Sequence, residues 1–416
     1  MTKPHRQVST TAALQAATAD ASVRHITLTE SLADVPSLRL SPGQTLTGAD
    51  PQTTLRFAAG QHGLQLSIDN SVDNLELVTD IDKWAVFNDT SVDQLGRLLL
   101  QNLVVHGVVL LLARDKVRGG HVEAHDVDIV AADARGYDVR PAGFGVEVIP
   151  GAFTLWNQQT DKAVIITAEL TGLSAGRAGA PVHGSGIFVS GAGDVGGRMV
   201  VSLLETGAVY SHGGIAPGVA NCISGGVFTV YGAFVDSVHN LGPVTTYGQN
   251  DMVLDNWGSV DNWVAEDKIT SYGPSGIGFV NFGTVNELVV NAPIETFGQG
   301  SRGYNVYAGT VHSAEFDRVV THADGAVGMQ ISQPVGSIVV HRGIETFGGT
   351  GDSLVKGVVV KLSAIALSFK PGAWAREVSI AGGLTTHGPG VNPLELHGTV
   401  DSLTITGGIT AAGEGF

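Results

Sequence analysis

Residues 244–248 read VTTYG, and this five-residue block recurs every 25 residues through the middle of the chain. Its copies are ITSYG at 269–273, IETFG at 294–298, VVTHA at 319–323 and IETFG at 344–348. Further copies are LETGA at 204, LTTHG at 384 and ITAAG at 409. A second marker follows in most coils: GSV at 258, GTV at 283, GTV at 309, GSI at 336 and GTV at 398. Two fixed corners in each repeat predict coils of short strands joined by turns.

The blocks alternate with period 2, which indicates strands and argues against helical repeats, and the leucine-rich repeat pattern is absent. In IETFG, Ile294 and Thr296 share one face, while Glu295 and Phe297 share the other. We therefore expect β-branched residues and Thr or Ser to stack inside, and corner glycines such as Gly273 to permit conformations that a Cβ would penalise. The sequence predicts an all-β, right-handed parallel β-helix, a solenoid with about 25 residues per coil.

The N-terminal segment TTAALQAATADA predicts a short helix capped by Ser9 or Thr10, which would plug the first coil. We expect residues 1–25 to form an arm with this capping helix and residues 26–416 to form one β-helix domain. The start of the chain lacks the apolar core of a signal peptide, so we expect a cytoplasmic protein, with a secreted protein that has lost its signal peptide as the alternative.

Composition excludes several classes of partner and site. The net charge of −16 argues against nucleic acid and against anionic membrane surfaces. No stretch approaches the roughly 20 apolar residues of a membrane span. The single cysteine, Cys222, excludes internal disulfides and Cys-rich metal clusters. We expect no cofactor and no bound metal.

The opening of the predicted solenoid resembles a known superfamily. HITLTESL at 25–32, LRLSPGQTLTGAD at 38–50 and TLRF at 54–57 look like the first coils of pectin-lyase-like β-helices. The resemblance implies the fold and a relationship to pectate lyases, polygalacturonases, epimerases, fructan transferases and phage tailspikes. The catalytic motifs of polygalacturonases and pectate lyases do not occur here, so the resemblance assigns no catalytic residue.

A polar wall follows the repeated corner. Asp251, Asp255, Arg302 and Asp324 are the candidate catalytic residues, because carboxyl groups and a cation on one wall suit glycosidic-bond chemistry. The candidate substrate-binding residues are Asn305 and Gln330 on this wall, Tyr247 and Tyr272 at the corner, and His212 in a Gly-rich turn. With a period of 25, Asp255, Asn305 and Gln330 should fall in one column.

Two other features compete with this wall. An outward aromatic column is predicted at one corner, formed by Tyr247, Tyr272, Phe297, His322, Phe347 and His387. It suits sugar rings, coil packing or a subunit contact. The segment 113–141 carries the only basic cluster, and its His121, Glu123 and His125 share one strand face that suits a metal or plain solvent exposure.

Two classes of function remain open at this point. The first is a carbohydrate-active enzyme that acts on an oligosaccharide or glycoside, as a glycoside hydrolase or transferase, a lyase or an epimerase. The second is a non-catalytic β-helical protein for binding or assembly. A carbohydrate ligand is the expected partner, and exposed apolar residues in the column favour a homo-oligomer, with a trimer as the first expectation.

Overall fold

The computed structural model of the chain describes residues 5–413, and its architecture is an all-β parallel β-helix with one short N-terminal helix. The chain forms two compact units. The first contains the chain up to Gly136 together with Pro150–Gly207 and Val230–Val235. The second contains Tyr137–Ile149, Ala208–Thr229 and the chain from Asp236 onward.

The first unit begins with the strand His5–Val8, which is followed by the helix Thr11–Ala19 that the sequence predicts. Thr10 caps it, since the Ala13 N–H donates to Thr10 Oγ1 at 3.2 Å. Leu14 and Ala17 of this helix are fully buried. The strands of this unit are His5–Val8, His25–Leu28, Leu32–Val35, Leu38–Arg39, Thr45–Gly48, Thr54–Phe57, Leu64–Leu66, Ser71–Val78, Trp84–Asn88, Arg97–His106, Val108–Ala113, Gly119–Ala131, Gly151–Asn157, Ile165–Ala175, Val182–His183 and Ser185–Ser190.

The second unit holds the regular repeat. Two strands, Arg198–His212 and Ala233–Asn240, contribute residues to both units. The other strands of the second unit are Ala142–Gly143, Val146–Val148, Cys222–Thr229, Val244–Thr246, Asp251–Asn256, Ser259–Ala265, Ile269–Ser271, Ile277–Asn281, Thr284–Val290, Ile294–Thr296, Arg302–Val306, Thr310–Phe316, Val319–Thr321, Val327–Ile331, Val335–Val340, Ile344–Thr346, Thr350–Val355, Val358–Ser363, Leu367–Phe369, Trp374–Ile380, Leu384–Thr386, Leu394–Leu396, Thr399–Ile405 and Ile409–Ala411.

Each regular coil contains three of these strands, and each strand pairs in parallel with its equivalent one coil on. In the short strand, Val244 is aligned with Ile269 and Ile269 with Ile294, and all three are buried. The hydroxyl residues two positions further, including Thr246 and Ser271, are also fully buried. Both interior ladders that the sequence predicts are therefore confirmed, and the parallel pairing satisfies the backbone inside the stack.

The corner glycines have a different cause from the expected one. Gly273 does not have a positive φ; a Cβ there would lie 1.7 Å from the Gly248 carbonyl oxygen of the preceding coil. Glycine is therefore required by the close approach of stacked coils. The left-handed position falls two residues later, at Asn250 (φ 58°) and Ser275 (φ 57°). Asn and Ser adopt this conformation because short polar side chains tolerate it best after glycine.

One repeat was assigned wrongly from the sequence. The partner of Val244 in the preceding coil is Val209, so VYSHG at 209–213 is the equivalent block, not LETGA at 204. The step to the next block is therefore 35 residues, and the added residues form the loop that precedes strand Cys222–Thr229. His212 consequently occupies the corner position that Tyr247 occupies one coil later.

Candidate functional site

The second strand of a regular coil presents outward residues that are polar in some coils, such as Arg302 and Asn305, and apolar in others, such as Ile277 and Val280. In strand Arg302–Val306, two consecutive residues point inward. A Cβ on Gly303 would meet an inward valine side chain, and the Tyr304 ring packs on an inward phenylalanine with ring centroids 4.7 Å apart. The residues that flank this pair, Arg302 and Asn305, therefore point outward. The inward pair breaks the strict alternation of a flat strand.

The outward residues of successive coils form columns. Asp255 is aligned with Val280, Val280 with Asn305, and Asn305 with Gln330. The predicted shared column of Asp255, Asn305 and Gln330 is confirmed. Tyr307 lies two residues after Asn305, and its ring centroid is 5.6 Å from the guanidinium carbon of Arg302. We refer to Asp255, Arg302, Asn305, Tyr307 and Gln330 as the outer-face cluster.

Two β-hairpins meet at their tips beside this cluster. The first hairpin pairs Ala142–Gly143 with Val146–Val148, and the second pairs Thr350–Val355 with Val358–Ser363. Both have two-residue turns in which each residue has a positive φ, as in type I′ turns: Phe144 and Gly145 at 52° and 86°, Lys356 and Gly357 at 47° and 79°. A Cβ on Gly357 would lie 2.7 Å from the Gly145 carbonyl oxygen, so the tips are in contact.

The second hairpin covers Arg302 and Tyr307. Arg302 Nη1 donates to the Leu354 carbonyl at 3.2 Å. Lys356 Nζ donates to the Tyr307 carbonyl at 3.3 Å and lies 5.6 Å from the centroid of the Tyr307 ring. The second hairpin interrupts the 25-residue repeat, so it is an insertion, and its contacts lie on the outward face of the second strands.

The first hairpin extends the cover through aromatic contacts. Phe144 stacks on Phe282 at 4.4 Å and meets Trp257 edge-on at 5.2 Å between ring centroids. Phe282 in turn stacks on Tyr307 at 5.2 Å. The outer-face cluster is thus bordered by rings as well as covered by a hairpin, and its members are at most 5% exposed.

Many polar atoms of the cluster have no hydrogen-bond partner in the protein. They are both carboxyl oxygens of Asp255, Nε and Nη2 of Arg302, both amide atoms of Asn305, the hydroxyl of Tyr307 and Oε1 of Gln330. The Trp257 indole near Asp255 and the Asn305 amide near Tyr307 supply only weak hydrogen bonds, which lower the pKa values of these two groups slightly. A buried polar group without a partner costs about 1–3 kcal/mol. Such groups are scattered singly in most proteins, so five residues with unpaired atoms on one face, spread over four successive coils with Val280 between Asp255 and Asn305, make this face the candidate site.

Burial also changes the acidity of the cluster. Burial raises the pKa of Asp255 well above its ordinary range, against a smaller lowering effect from the Trp257 indole. Burial likewise raises the pKa of Tyr307, against smaller effects of Arg302 and Asn305. A carboxyl group that keeps its proton near neutral pH can donate it in a reaction. Strongly shifted carboxyl groups are more frequent at functional sites than elsewhere.

Asp251 lies on the same strand in a different environment. Its carboxylate accepts hydrogen bonds from Ser224 Oγ at 2.5 Å, the Gly248 N–H at 2.6 Å and the Gly213 N–H at 3.1 Å. Burial raises its pKa, and these three donors oppose that shift. Asp251 therefore links the corners at Gly213 and Gly248 to the strand Cys222–Thr229. It does not belong to the outer-face cluster.

Asp324 and the aromatic column lie outside the cluster as well. Asp324 is exposed at a corner, where its Oδ1 accepts the Gly349 N–H at 2.7 Å. The rings of the column stack as predicted: Tyr247 lies 5.4 Å from Tyr272, and later pairs down to His387 lie 4.4–5.3 Å apart. Because the planes are within 1–13° of parallel, neighbouring rings cover one another's faces and expose their edges.

An open pocket of about 180 Å³ adjoins the second hairpin. Its walls are the hairpin residues Ser353 and Leu354, the corner residues Asn250 and Ser275, and the loop around Val219. Leu354 contacts both the pocket and the cluster: the residue lines the pocket, and its carbonyl oxygen accepts the hydrogen bond from Arg302. The pocket therefore gives solvent access next to the covered cluster.

The competing segment in the first unit forms a surface network. His121 and His125 flank Glu123 with Nε2 to carboxylate distances of 3.1 and 3.6 Å, and Arg97 also pairs with Glu123. Glu123 has a lowered pKa, chiefly through the hydrogen bond from Arg97. Within residues 5–413, no group of three or more His, Cys, Asp or Glu side chains is arranged to hold a metal ion.

Sequence reasoning missed Tyr307 and both hairpins. Trp257, Phe282 and Tyr307 recur every 25 residues just before the second corner, a period that was available in the sequence. The step of 40 residues between the blocks at 344 and 384 marks the second hairpin as an insertion. The first hairpin gave no such signal, because it lies more than 100 residues before the strands that it covers.

In the part of the chain that the structure describes, no helix has the length and apolar character needed to cross a membrane. No family model, no curated protein and no solved structure matches this chain.

Proposed function

We propose that the protein is a carbohydrate-active enzyme that binds an oligosaccharide or glycoside at the outer-face cluster, with Asp255 as its acid–base group. The observation that carries the proposal is a fully buried carboxyl group with a raised pKa among amide, hydroxyl and guanidinium groups that lack partners. Asn305, Gln330 and Tyr307 offer donors and acceptors to sugar hydroxyls, while Phe144 and Phe282 supply apolar surface. The resemblance to pectin-lyase-like β-helices supports the same class of substrate.

The composition of the cluster favours one kind of chemistry. Glycoside hydrolysis uses two carboxyl groups on opposite sides of the scissile bond. The cluster contributes one carboxyl group, from Asp255, and one guanidinium, from Arg302. Proton transfer at a sugar carbon needs one carboxylate base, a role that Asp255 fills only after it has lost its proton, and a cation that stabilises the developing charge. A lyase or an epimerase therefore fits the cluster better than a hydrolase or transferase.

The test is a turnover screen on oligosaccharides and glycosides with products read by mass spectrometry. Hydrolysis adds the mass of water across the bond, elimination adds none, and epimerisation leaves the mass unchanged while shifting retention. We expect Asp255→Asn to lower turnover about 100-fold or more, the usual loss for an acid–base group. Asp261→Asn is the matched control, because Asp261 is exposed on strand Ser259–Ala265. Full activity of Asp255→Asn on a substrate that the protein turns over contradicts the proposal.

The alternative function, a non-catalytic binding or assembly protein, is favoured by the aromatic column. Tyr272, Phe297 and Phe347 are 48%, 37% and 42% exposed, although they are large and apolar. A continuous row of this kind suits contact with another protein surface. An inert wild-type protein across the whole screen favours this alternative.

A further inference from the structure

Arg302 is the most unusual group of the outer-face cluster. It has no exposed surface, although it carries a full charge. Its Nη1 donates to the Leu354 carbonyl at 3.2 Å and lies 3.5 Å from the Gly300 carbonyl. Its Nε and Nη2 have no partner in the protein. The guanidinium is therefore held from one side, while the edge formed by Nε and Nη2 is buried and has no protein partner.

No carboxylate neutralises this charge. Among residues 5–413, no acidic side chain lies within 4.0 Å of the Arg302 nitrogens. Asp255 is the one acidic member of the cluster, and burial favours its neutral form. Lys356, on the turn above Tyr307, adds a second positive charge nearby. Buried charges are costly unless they are paired or bind an ion, so this arrangement calls for an anion.

The Nε–Nη2 edge also has the geometry for a particular kind of anion. Nε–H and one Nη2–H of a guanidinium point in parallel, and they match the two oxygens of a carboxylate or phosphate. A sugar hydroxyl or a single carbonyl would use one of the two donors and leave the other without a partner. The pattern of unpaired atoms on Arg302 therefore specifies a two-oxygen acceptor.

We propose that the Nε–Nη2 edge of Arg302 binds an oxyanion group of the ligand, a carboxylate or a phosphate, beneath the second hairpin. The anion site stands on the contacts of Arg302 alone, whereas its assignment to a substrate rests on the proposed function. In that function, Arg302 holds the anionic sugar beside Asn305 on the same coil and Gln330 one coil on, while Asp255, two coils before Asn305, faces an adjoining part of the oligosaccharide. Arg302 Nη1 keeps its hydrogen bond to the Leu354 carbonyl. The Arg302 side chain therefore contacts both the ligand and the second hairpin.

A purely structural role for Arg302 predicts different behaviour. If Arg302 only anchors the second hairpin, anions and neutral sugars bind equally, and substitution changes stability without changing ligand preference. The test is therefore a comparison of ligands and not a measurement of stability alone. The probes are glucuronate, glucose 6-phosphate and glucose, which share a ring and differ in the group they carry.

Calorimetric titration on the full chain measures this comparison. We expect wild-type protein to bind glucuronate or glucose 6-phosphate at least about 10-fold more tightly than glucose, because a bidentate charge-assisted pair is much stronger than a neutral hydrogen bond. The stronger of the two anions identifies the source as a carboxylate or a phosphate. Arg302→Gln should abolish the preference, and Arg302→Lys, which keeps the charge without the fork, should retain part of it. Arg376→Gln, at an exposed position, is the control.

Asp255→Asn separates this inference from the proposed function. That variant should bind the preferred anion like wild type even though turnover is lost. Equal binding of all three probes to wild type, or an anion preference that survives in a folded Arg302→Gln variant, overturns the inference. Lost anion preference in Arg302→Gln with full turnover in Asp255→Asn instead supports the anion site and contradicts the assignment of Asp255. Circular dichroism confirms that each variant is folded, and Arg302→Lys provides the comparison if Arg302→Gln does not fold.

Discussion

Asp255 and Asp251 lie four positions apart on one strand, and both are fully buried. Asp251 accepts three hydrogen bonds, so its burial is offset by donors that belong to the fold. The carboxyl oxygens of Asp255 have no close hydrogen-bond donor, and the Trp257 indole has only a weak effect on them. Asp251 therefore has a structural role, whereas the carboxyl group of Asp255 is available to a ligand. The two side chains differ in direction: Asp251 is aligned with Ser224 and bonds to its hydroxyl, whereas Asp255 shares the column of the outward-facing Asn305 two coils on.

The raised pKa of Asp255 makes stability depend on pH in a defined direction. Below the unfolded-state pKa of about 4, both states carry the proton and the group has no effect. Above that value the unfolded chain loses the proton while the folded protein retains it. Stability therefore falls as pH rises, by about 1.4 kcal/mol per pH unit, until the folded-state pKa is reached.

Asp255→Asn removes this dependence, so we expect the variant to melt at a higher temperature than wild type at pH 7 and at the same temperature near pH 3. Thermal unfolding across pH 3–8 measures the difference. The contribution of Asp251 cancels, since it is present in both proteins. Asp261→Asn should follow the wild-type curve. A constant difference between Asp255→Asn and wild type at all pH values would show that the carboxyl group is not protonated in the fold.

The sequence allowed part of the cluster to be predicted at the level of residues. The period of 25 places Asp255, Asn305 and Gln330 in one column, because parallel coils in register align residues one period apart. The repeat period does not reveal which columns are buried beneath a hairpin, since the hairpins lie outside the repeat. Asp324 and Tyr272 were chosen on the same pattern, and they lie on open corners.

At the scale of elements, the two hairpins decide what the outer face can do. The second strands of the regular coils, such as Ile277–Asn281 and Val327–Ile331, are buried throughout, and the two hairpins enclose the polar residues at Arg302 and Tyr307. Enclosure raises the strength of electrostatic interactions and excludes water from a reacting group. The proposed function therefore requires a ligand to enter either from the pocket beside Leu354 or by separation of the hairpin tips, Phe144–Gly145 and Lys356–Gly357.

Gly357→Ala tests the contact between the tips. The added Cβ would lie 2.7 Å from the Gly145 carbonyl oxygen, so we expect the tips to part and the second hairpin to loosen. Limited trypsin digestion, read by mass spectrometry, should show faster cleavage after Lys356. Gly372→Ala is the matched control, because Gly372 also has a positive φ, at 87°, but no atom within 4 Å of an added Cβ. Equal cleavage after Lys356 in both variants would mean that the tips do not hold each other.

At the scale of the whole molecule, the repeat was the most informative feature of the sequence. Stacked parallel coils require a fixed period, buried β-branched residues and Gly where coils approach closely, and all three can be read from the residues near 244–348. Irregular coils are harder to assign. The block at 209–213 was missed because a ten-residue loop shifts its spacing to 35 and its VYSHG sequence differs from the later copies.

Assembly is a further prediction at this scale. The aromatic column exposes Tyr272 and Phe297 on adjacent coils and Phe347 beyond His322, and together they form more apolar surface than a monomer usually presents. We expect a homo-oligomer, with a trimer as the first expectation. Sedimentation velocity at micromolar concentration measures its mass. A single species with the 42.9 kDa mass of one chain would contradict it.

The most direct test of the central claim is a crystal structure of Asp255→Asn soaked with the best-binding sugar from the titrations. We expect density for a sugar ring beneath the second hairpin, with its oxyanion hydrogen-bonded to Nε and Nη2 of Arg302 and its hydroxyls hydrogen-bonded to Asn305 and Gln330. A sugar bound along the aromatic column instead, with the outer-face cluster unchanged, would contradict the account.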